Sequence, residues 1–124
     1  MTQTNRRRPP RHRESKTTMV HVGDAQLKLY LTVGLYEDGT PCEVFLKTSK
    51  TGSTIQGALD MTAIMISHAL QFGMPISKVA SALIEMRFEP MGMTDDPDVP
   101  TCSSIGDYVA KKLAHDYPSL EGAK

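Results

Sequence analysis

Residues 26–47, QLKLYLTVGLYEDGTPCEVFLK, decide the fold. Leu27, Leu29, Leu31 and Val33 fall on one side of an extended chain, and Lys28, Tyr30 and Thr32 on the other. Period two over this length predicts a half-buried strand. Glu37-Asp38-Gly39-Thr40 is a hairpin signal, because Asp-Gly tolerates the positive φ angles of a tight turn. Cys42, Val44 and Leu46 then alternate with Glu43, Phe45 and Lys47 as the returning strand. Upstream, residues 17–22 read as an earlier strand closed by Gly23-Asp24. The result is a three-stranded antiparallel meander with one face that needs cover.

Downstream the period changes from two to helical. Residues 54–72 carry Ile55, Leu59, Ile66 and Ala69 or Leu70 at helical spacing. Ala58, Met61, Met65 and Phe72 widen that stripe, so the helix is expected to be central and buried. Gly73 is a helix-ending residue and Pro75 suits the first turn of the next helix. The second helix has Ile76, Val79, Ala80, Leu83 and Ile84 inward. Residues 88–101, with three prolines and Asp95, Asp96 and Asp98, read as a stiff acidic loop. A last helix over 103–117 turns Ile105, Tyr108, Val109 and Leu113 inward, with Ser104 and Asp107 spaced like a capping box. Strands first and helices after make the class α+β: a three-stranded antiparallel meander packed against about three α-helices.

Composition adds bounds. The chain has 124 residues, 40% hydrophobic and 23% charged, which suits a globular domain. Eight Met and no Trp suggest Met as core filler, with an adaptable contact surface as the alternative. Formal net charge is zero but uneven. Residues 1–18 hold six Lys/Arg against Glu14, a net of +5, and the remainder holds eight against thirteen, a net of −5. The expected organisation is a disordered basic arm at 1–16, a single α+β domain at 17–118 and a flexible tail at 119–124. Cys42 and Cys102, far apart and outside any CxxC, form no zinc site and no disulfide framework. No apolar run reaches the length of a membrane span, so a cytoplasmic protein with reduced thiols is expected.

Candidate ligand chemistry is sparse. Lys50-Thr51-Gly52-Ser53-Thr54 lies between a strand and a helix start, where free N–H groups and the helix dipole receive anions. Lys50 supplies charge, Gly52 close backbone approach, and Ser53 and Thr54 hydroxyls; the bland reading is a loop with an N-capping Ser53 or Thr54. Arg87 is a further phosphate-binding candidate, with Tyr36, Phe88 and Glu89 as base or loop contacts. Asp95, Asp96 and Asp98 fit no known metal loop, and His12, His21, His68 and His115 show no metal-ligand spacing. No catalytic residue and no metal site are assigned.

Six phrases in order carry a family resemblance: the Arg-rich start, LTVGLYEDGTP (31–41), KTGSTIQGALD (50–60), SHALQFGMP (67–75), RFEPMGMTDDPD (87–98) and SSIGDYVAKKLA (103–114). Together they resemble the TSCPD domain, the C-terminal region of class II ribonucleotide reductases, also found as small separate proteins. The resemblance implies a link to deoxyribonucleotide synthesis. Its parent enzymes use adenosylcobalamin, a thiyl radical and a redox-active cysteine pair, carried by a large barrel and a cysteine-bearing tail. Neither part is present here, and Cys42 stands where the family pattern has Gly. Thr101-Cys102-Ser103 echoes the naming motif only in part. The expected roles are an accessory module on a reductase large subunit, a nucleotide-binding or nucleotide-sequestering protein acting as a homo-oligomer, and, ranked last, nucleic-acid binding through the basic arm. No cofactor is expected on this chain itself.

Overall fold

The computed structural model describes residues 5–49 and 52–118. Lys50 and the expected tail at 119–124 lie outside the described residues. The order is β1 (Ser15–Val22), β2 (Leu27–Leu35), β3 (Pro41–Thr48), α1 (Thr54–Gln71), α2 (Ile76–Leu83), β4 (Gly92–Met93), β5 (Thr101–Cys102) and α3 (Ile105–Asp116). The first three strands form one antiparallel sheet in the order β1-β2-β3, as the alternation requires. Contacts gather into two compact units, Met1–Thr18 with Tyr30–Met74, and Met19–Leu29 with Pro75–Lys124.

In the first unit, the β2–β3 turn closes through Tyr36 N–H to Thr40 O (2.8 Å), with Gly39 at φ +85°. The Asp38 carboxylate accepts from the Thr40 N–H at 3.0 Å, fixing the turn locally. Ser53 caps α1 by accepting the Gln56 N–H. At the other end, Gly73 N–H donates to Leu70 O and Met74 N–H to Ala69 O, with Gly73 at φ +98°. That pair of bonds is a Schellman motif and supplies the stop expected at Gly73.

α1 packs along β3 with Leu59, Ala63, Ile66 and Leu70 buried. β3 pairs with β2 on one side only, so its other edge carries unpaired backbone groups. Three α1 side chains meet them. Gln56 accepts from Thr48 N–H (2.7 Å) and donates to Leu46 O (3.0 Å). Ser67 Oγ accepts from Val44 N–H (2.9 Å) and donates to Val44 O (3.2 Å). Gln71 donates to Cys42 O (2.9 Å). The helix thereby seals the sheet edge.

Three expectations change. The widened apolar stripe is not central: Met61, Ile64, Met65 and Phe72 are exposed, because the helix buries only the face that seals β3. Nor do the methionines fill the core. The buried apolar set contains none, and Met19, Met61, Met65, Met74, Met86 and Met93 are exposed. Residues 5–14, expected as a disordered arm, are tied down instead. Arg7 N–H donates to Gln71 O (2.8 Å), Arg6 bonds the Gln71 side chain, and Arg13 forms an ion pair with Glu43. The Arg7 guanidinium lies 3.7 Å from the Tyr36 ring centroid, and Tyr36 Oη donates to Arg7 O (2.6 Å). These partners are polar and aromatic, so a search for apolar periodicity passes over them. Gly34 leaves room for this arrangement, since a Cβ there would meet Glu43 Cγ at 2.7 Å.

In the second unit, α2 packs on α3, and Val79, Ala80, Val99, Ile105, Tyr108, Val109 and Leu113 are buried. The segment expected as a plain loop contains β4 and β5, paired antiparallel with Gly92 opposite Cys102. An isolated bridge joins Thr94 to Val22. Gly23, at φ +74°, admits the approaching backbone, because a Cβ there would lie 2.6 Å from Met91 O.

The three acidic residues of that segment are each held by a partner, Asp95 by His21 and both Asp96 and Asp98 by Lys112. Asp95 accepts from His21 N–H and faces His21 Nδ1, both at 2.8 Å. Asp96 is buried, accepts from Tyr108 Oη (2.7 Å) and lies 3.2 Å from Lys112 Nζ. Asp98 lies 3.1 Å from the same Nζ. Burial alone raises the Asp96 pKa, but the bonds from Tyr108, from Asp98 N–H and from Lys112 outweigh it and leave the net below its ordinary value. Burial and the neighbouring Asp96 push the Tyr108 hydroxyl up, so it remains a donor.

Two outcomes test this description. Gln56→Ala strands the Thr48 N–H and Leu46 C=O, and is expected to lower unfolding free energy by about 2 kcal/mol in urea titration. A loss under about 0.5 kcal/mol would mean that water seals the edge equally well. For pH, a carboxylate with a depressed folded pKa adds stability above its unfolded pKa and loses it as pH falls through the folded one. Asp96 and Asp107 both lie below their ordinary 3.8, so the thermal midpoint is expected to hold above about pH 4 and fall beneath it. Asp96→Asn should blunt that fall.

Candidate functional site

The turn after α2 and the start of α3 build an open depression of about 560 Å³. It is lined by Glu85, Arg87, Gly92, Thr101, Ser103 and Lys111, with Asp107 at its base. Asp107 organises it. Its Oδ1 accepts from Glu85 N–H (2.6 Å), and its Oδ2 accepts from Ser103 N–H (3.0 Å) and faces Lys111 Nζ (2.8 Å). Its own N–H donates to Ser104 Oγ (2.9 Å). This is the forward half of the expected capping box. The return bond goes to Ser103, one residue upstream of the cap. Burial raises the Asp107 pKa, but Lys111 and the two backbone donors outweigh it, and the net is lowered. Glu85 holds a left-handed φ of +64°, which turns the chain so that its N–H meets Asp107. Ser103 Oγ donates to Met86 O (2.7 Å), and Phe88 N–H donates to Ser103 O (3.1 Å).

Of the residues singled out from sequence, Arg87 lines this depression. It is exposed and has no hydrogen-bond or ion-pair partner among the described residues. Phe88 and Glu89 follow it and are exposed. Gly52, Ser53 and Thr54 sit at the α1 N-terminus in the other unit, with Gly52 at φ +79°. Ser53 is the N-cap there, in line with the bland reading of that loop. Tyr36 is also in that unit, buried, with its ring face covered by Arg7. Sequence reasoning missed Asp107 and Lys111 as site residues. Their spacing of four on a helix, acid first, was the available signal.

The first unit has its own cleft of about 390 Å³ along α1 and β3. Arg6, Phe45, Lys47, Asp60, Ile64 and His68 are among its lining. Lys47 and Asp60 face each other across it at 3.7 Å, both well exposed.

Two further arrangements bear on chemistry. Asp98, His115 and Asp116 offer ligand atoms within 4.8 Å of one another. The Lys112 ammonium already lies 3.1 Å from Asp98 and 3.6 Å from Asp116, so the cluster surrounds a side-chain cation. The two thiols are both buried and free. Burial pushes each thiol pKa up, the reverse of what a nucleophilic or redox-active cysteine needs. Among the described residues no helix is long and apolar enough to cross a membrane.

Comparison with known proteins agrees with the six phrases. The chain is 46% identical over 116 residues to the vitamin B12-dependent ribonucleotide reductase of Streptomyces avermitilis, covering 94% of this chain and 12% of that protein. The enzyme of the same name from Rhodopirellula baltica is 43% identical over 101 residues, 76% of this chain and 10% of its own. That of Bradyrhizobium diazoefficiens is 35% identical over 115 residues, 92% and 9%. The similarity is to the C-terminal region of these reductases, and the chain spans about a fifth or less of the relatives it matches. No solved structure matches. The TSCPD domain model matches residues 3–117, and the chain belongs to the TSCPD domain family.

Proposed function

We propose that this chain is an accessory module of deoxyribonucleotide synthesis, acting in the cytoplasm as a homo-oligomer, docking on a ribonucleotide reductase large subunit and not reducing ribonucleotides by itself. One observation carries the reading: 94% of this chain aligns with only 12% of a reductase. A segment that small relative to the enzyme is a part that serves the rest. The buried thiols support the non-catalytic half, because a thiolate or thiyl function needs an accessible, activated sulfur. The cofactor of the reductases is assigned to the partner. Two clefts among the described residues, of about 390 and 560 Å³, are in the range of drug-sized ligands.

A second reading has its own support. Arg87 is a guanidinium without a partner among the described residues, at a depression also lined by Thr101, by Lys111, which faces Asp107, and by Ser103, which bonds Met86 O. That donor set suits an anionic ligand such as a nucleotide phosphate. In this reading the chain binds a nucleotide, as a sensor for the reductase or as a sequestering protein.

The test has two arms. Added chain is expected to change the activity of a reductase large subunit that lacks this region, and to co-sediment with it; an enzyme indifferent to added chain removes the docking reading. For the second, a nucleotide at about 100 times its Kd adds roughly 2.7 kcal/mol, a thermal shift of several degrees. Arg87→Ala should abolish that shift and Thr54→Ala should leave it. The opposite pattern would move the ligand to the α1 N-terminus. A flat response across mono-, di- and triphosphates removes the nucleotide reading.

A further inference from the structure

We infer that the exposed face of α1 pairs with the same face of a second copy of this chain, antiparallel, about a two-fold axis between Ile64 and Met65. This deepens the homo-oligomer part of the reading above and rests on that part alone. α1 spends Gln56, Leu59, Ala63, Ile66, Leu70 and Gln71 on β3. Exposed outside that set are Gly57, Met61, Ile64, Met65, His68 and Phe72, with Met61 and Met65 each 66% exposed and Ile64 55%; Ile64 and His68 also line the cleft along β3. Their intervals of three and four make a continuous seam along the helix.

The seam carries no Lys, Arg, Asp or Glu. The acidic residue of α1, Asp60, points to the β3 side, where it accepts from Gln56 Nε2 at 2.7 Å and faces Lys47. A contiguous apolar strip free of charge marks an association surface, and an isologous pair needs one patch complementary to itself.

The seam is self-complementary in one direction only. With the axis between Ile64 and Met65, each Ile64 meets Met65 of the second copy, and each Met61 meets His68. Phe72 then meets Gly57 of the second copy, where a Cβ would find nothing within 4 Å and the ring has room. The two His68 rings stand seven residues apart along the pair, about 10 Å. A parallel pair would set Phe72 against Phe72, Gly57 against Gly57 and His68 against His68. That order crowds one end, opens a gap at the other and apposes two titratable rings.

Area sets the strength. An 18-residue helix is about 27 Å long and 10–12 Å wide, a footprint of about 300 Å² per copy. That is under half of the roughly 800 Å² per partner in a standard interface. The dimer is therefore reversible and concentration-dependent.

Sedimentation equilibrium of the full chain from about 1 to 500 µM is the experiment, over a range that brackets weak association. The expected result is a monomer–dimer equilibrium that Met65→Glu weakens at least tenfold. The thermal midpoint should be unchanged, since Met65 is exposed. Register is read by mixing Met61→Cys with His68→Cys chains under oxidation. The mixture should give a disulfide-linked heterodimer, and Met61→Cys alone should not cross-link. The native thiols are buried and contribute little background. A monomer at every concentration overturns both this inference and the homo-oligomer reading. A dimer indifferent to Met65→Glu keeps the oligomer and overturns the α1 interface. Self-linking of Met61→Cys overturns the antiparallel register. A monomeric chain whose α1 face binds a reductase subunit overturns this inference while supporting the docking reading.

Discussion

The free edge of β3 is the constraint on which the first unit depends. An edge strand left open exposes backbone donors and acceptors that either pair with another chain or must be met from within. Here Gln56, Ser67 and Gln71 meet them at Thr48, Leu46, Val44 and Cys42. Those three residues occupy one side of α1, so satisfying the edge fixes the rotation of the helix about its own axis. Gln71 then extends the constraint, because its backbone carbonyl receives Arg7 and its side chain receives Arg6. The arm, the helix and the sheet edge form one hydrogen-bonded system. No buried side-chain N or O atom among the described residues lacks a partner.

That rotation explains what was legible in the sequence and what was not. The strands were legible because their alternation is a local property: Leu29, Leu31 and Val33 are buried where period two places them. The helix ends were legible for the same reason, since Ser53 and Gly73 act within one turn of their position. Which face of α1 is buried was not legible. The helix has apolar residues around most of its girth, and apolar counting cannot choose between two sides. The choice was made by polar residues, Gln56, Ser67 and Gln71, whose role appears only once the strand edge is in place. The basic arm was misread similarly, because Arg6, Arg7 and Arg13 are held by Gln71, Tyr36 and Glu43, far away in sequence.

In the second unit the acidic segment shows the same logic with charge. A run holding Asp95, Asp96 and Asp98 reads as solvent-facing when each acid is taken alone. Each is instead assigned a partner, His21, Tyr108 with Lys112, and Lys112 again. Lys112 is 8% exposed and is held by carboxylates from the loop and from its own helix. Asp107 has a comparable place at the start of α3, where the positive end of the helix favours a carboxylate. Its ties to Glu85 and Ser103 hold the chain on both sides of the depression. Of the residues singled out from sequence, Arg87 is the one that lines this depression, and it has no partner among the described residues. Those that shape its surroundings were hidden because they are occupied.

Occupied and unoccupied groups together underlie the two proposals of ligand binding and self-association. Buried polar groups in a native fold are satisfied, and the buried side-chain N and O atoms among the described residues are. The residues left over are therefore informative. In the second unit one such group, among the described residues, is the Arg87 guanidinium, which suits an anion. In the first it is a strip of Met, Ile and Phe on a helix already fixed by its polar side, which asks for apolar cover. Methionine suits such a surface, since its unbranched thioether adapts to an opposing side chain without the strict shape match that a β-branched residue imposes. A strip of this kind without partner costs solubility, and no charged residue interrupts it. Both lie within single units, so the proposed binding of a ligand and the proposed association of chains are open to test by separate substitutions.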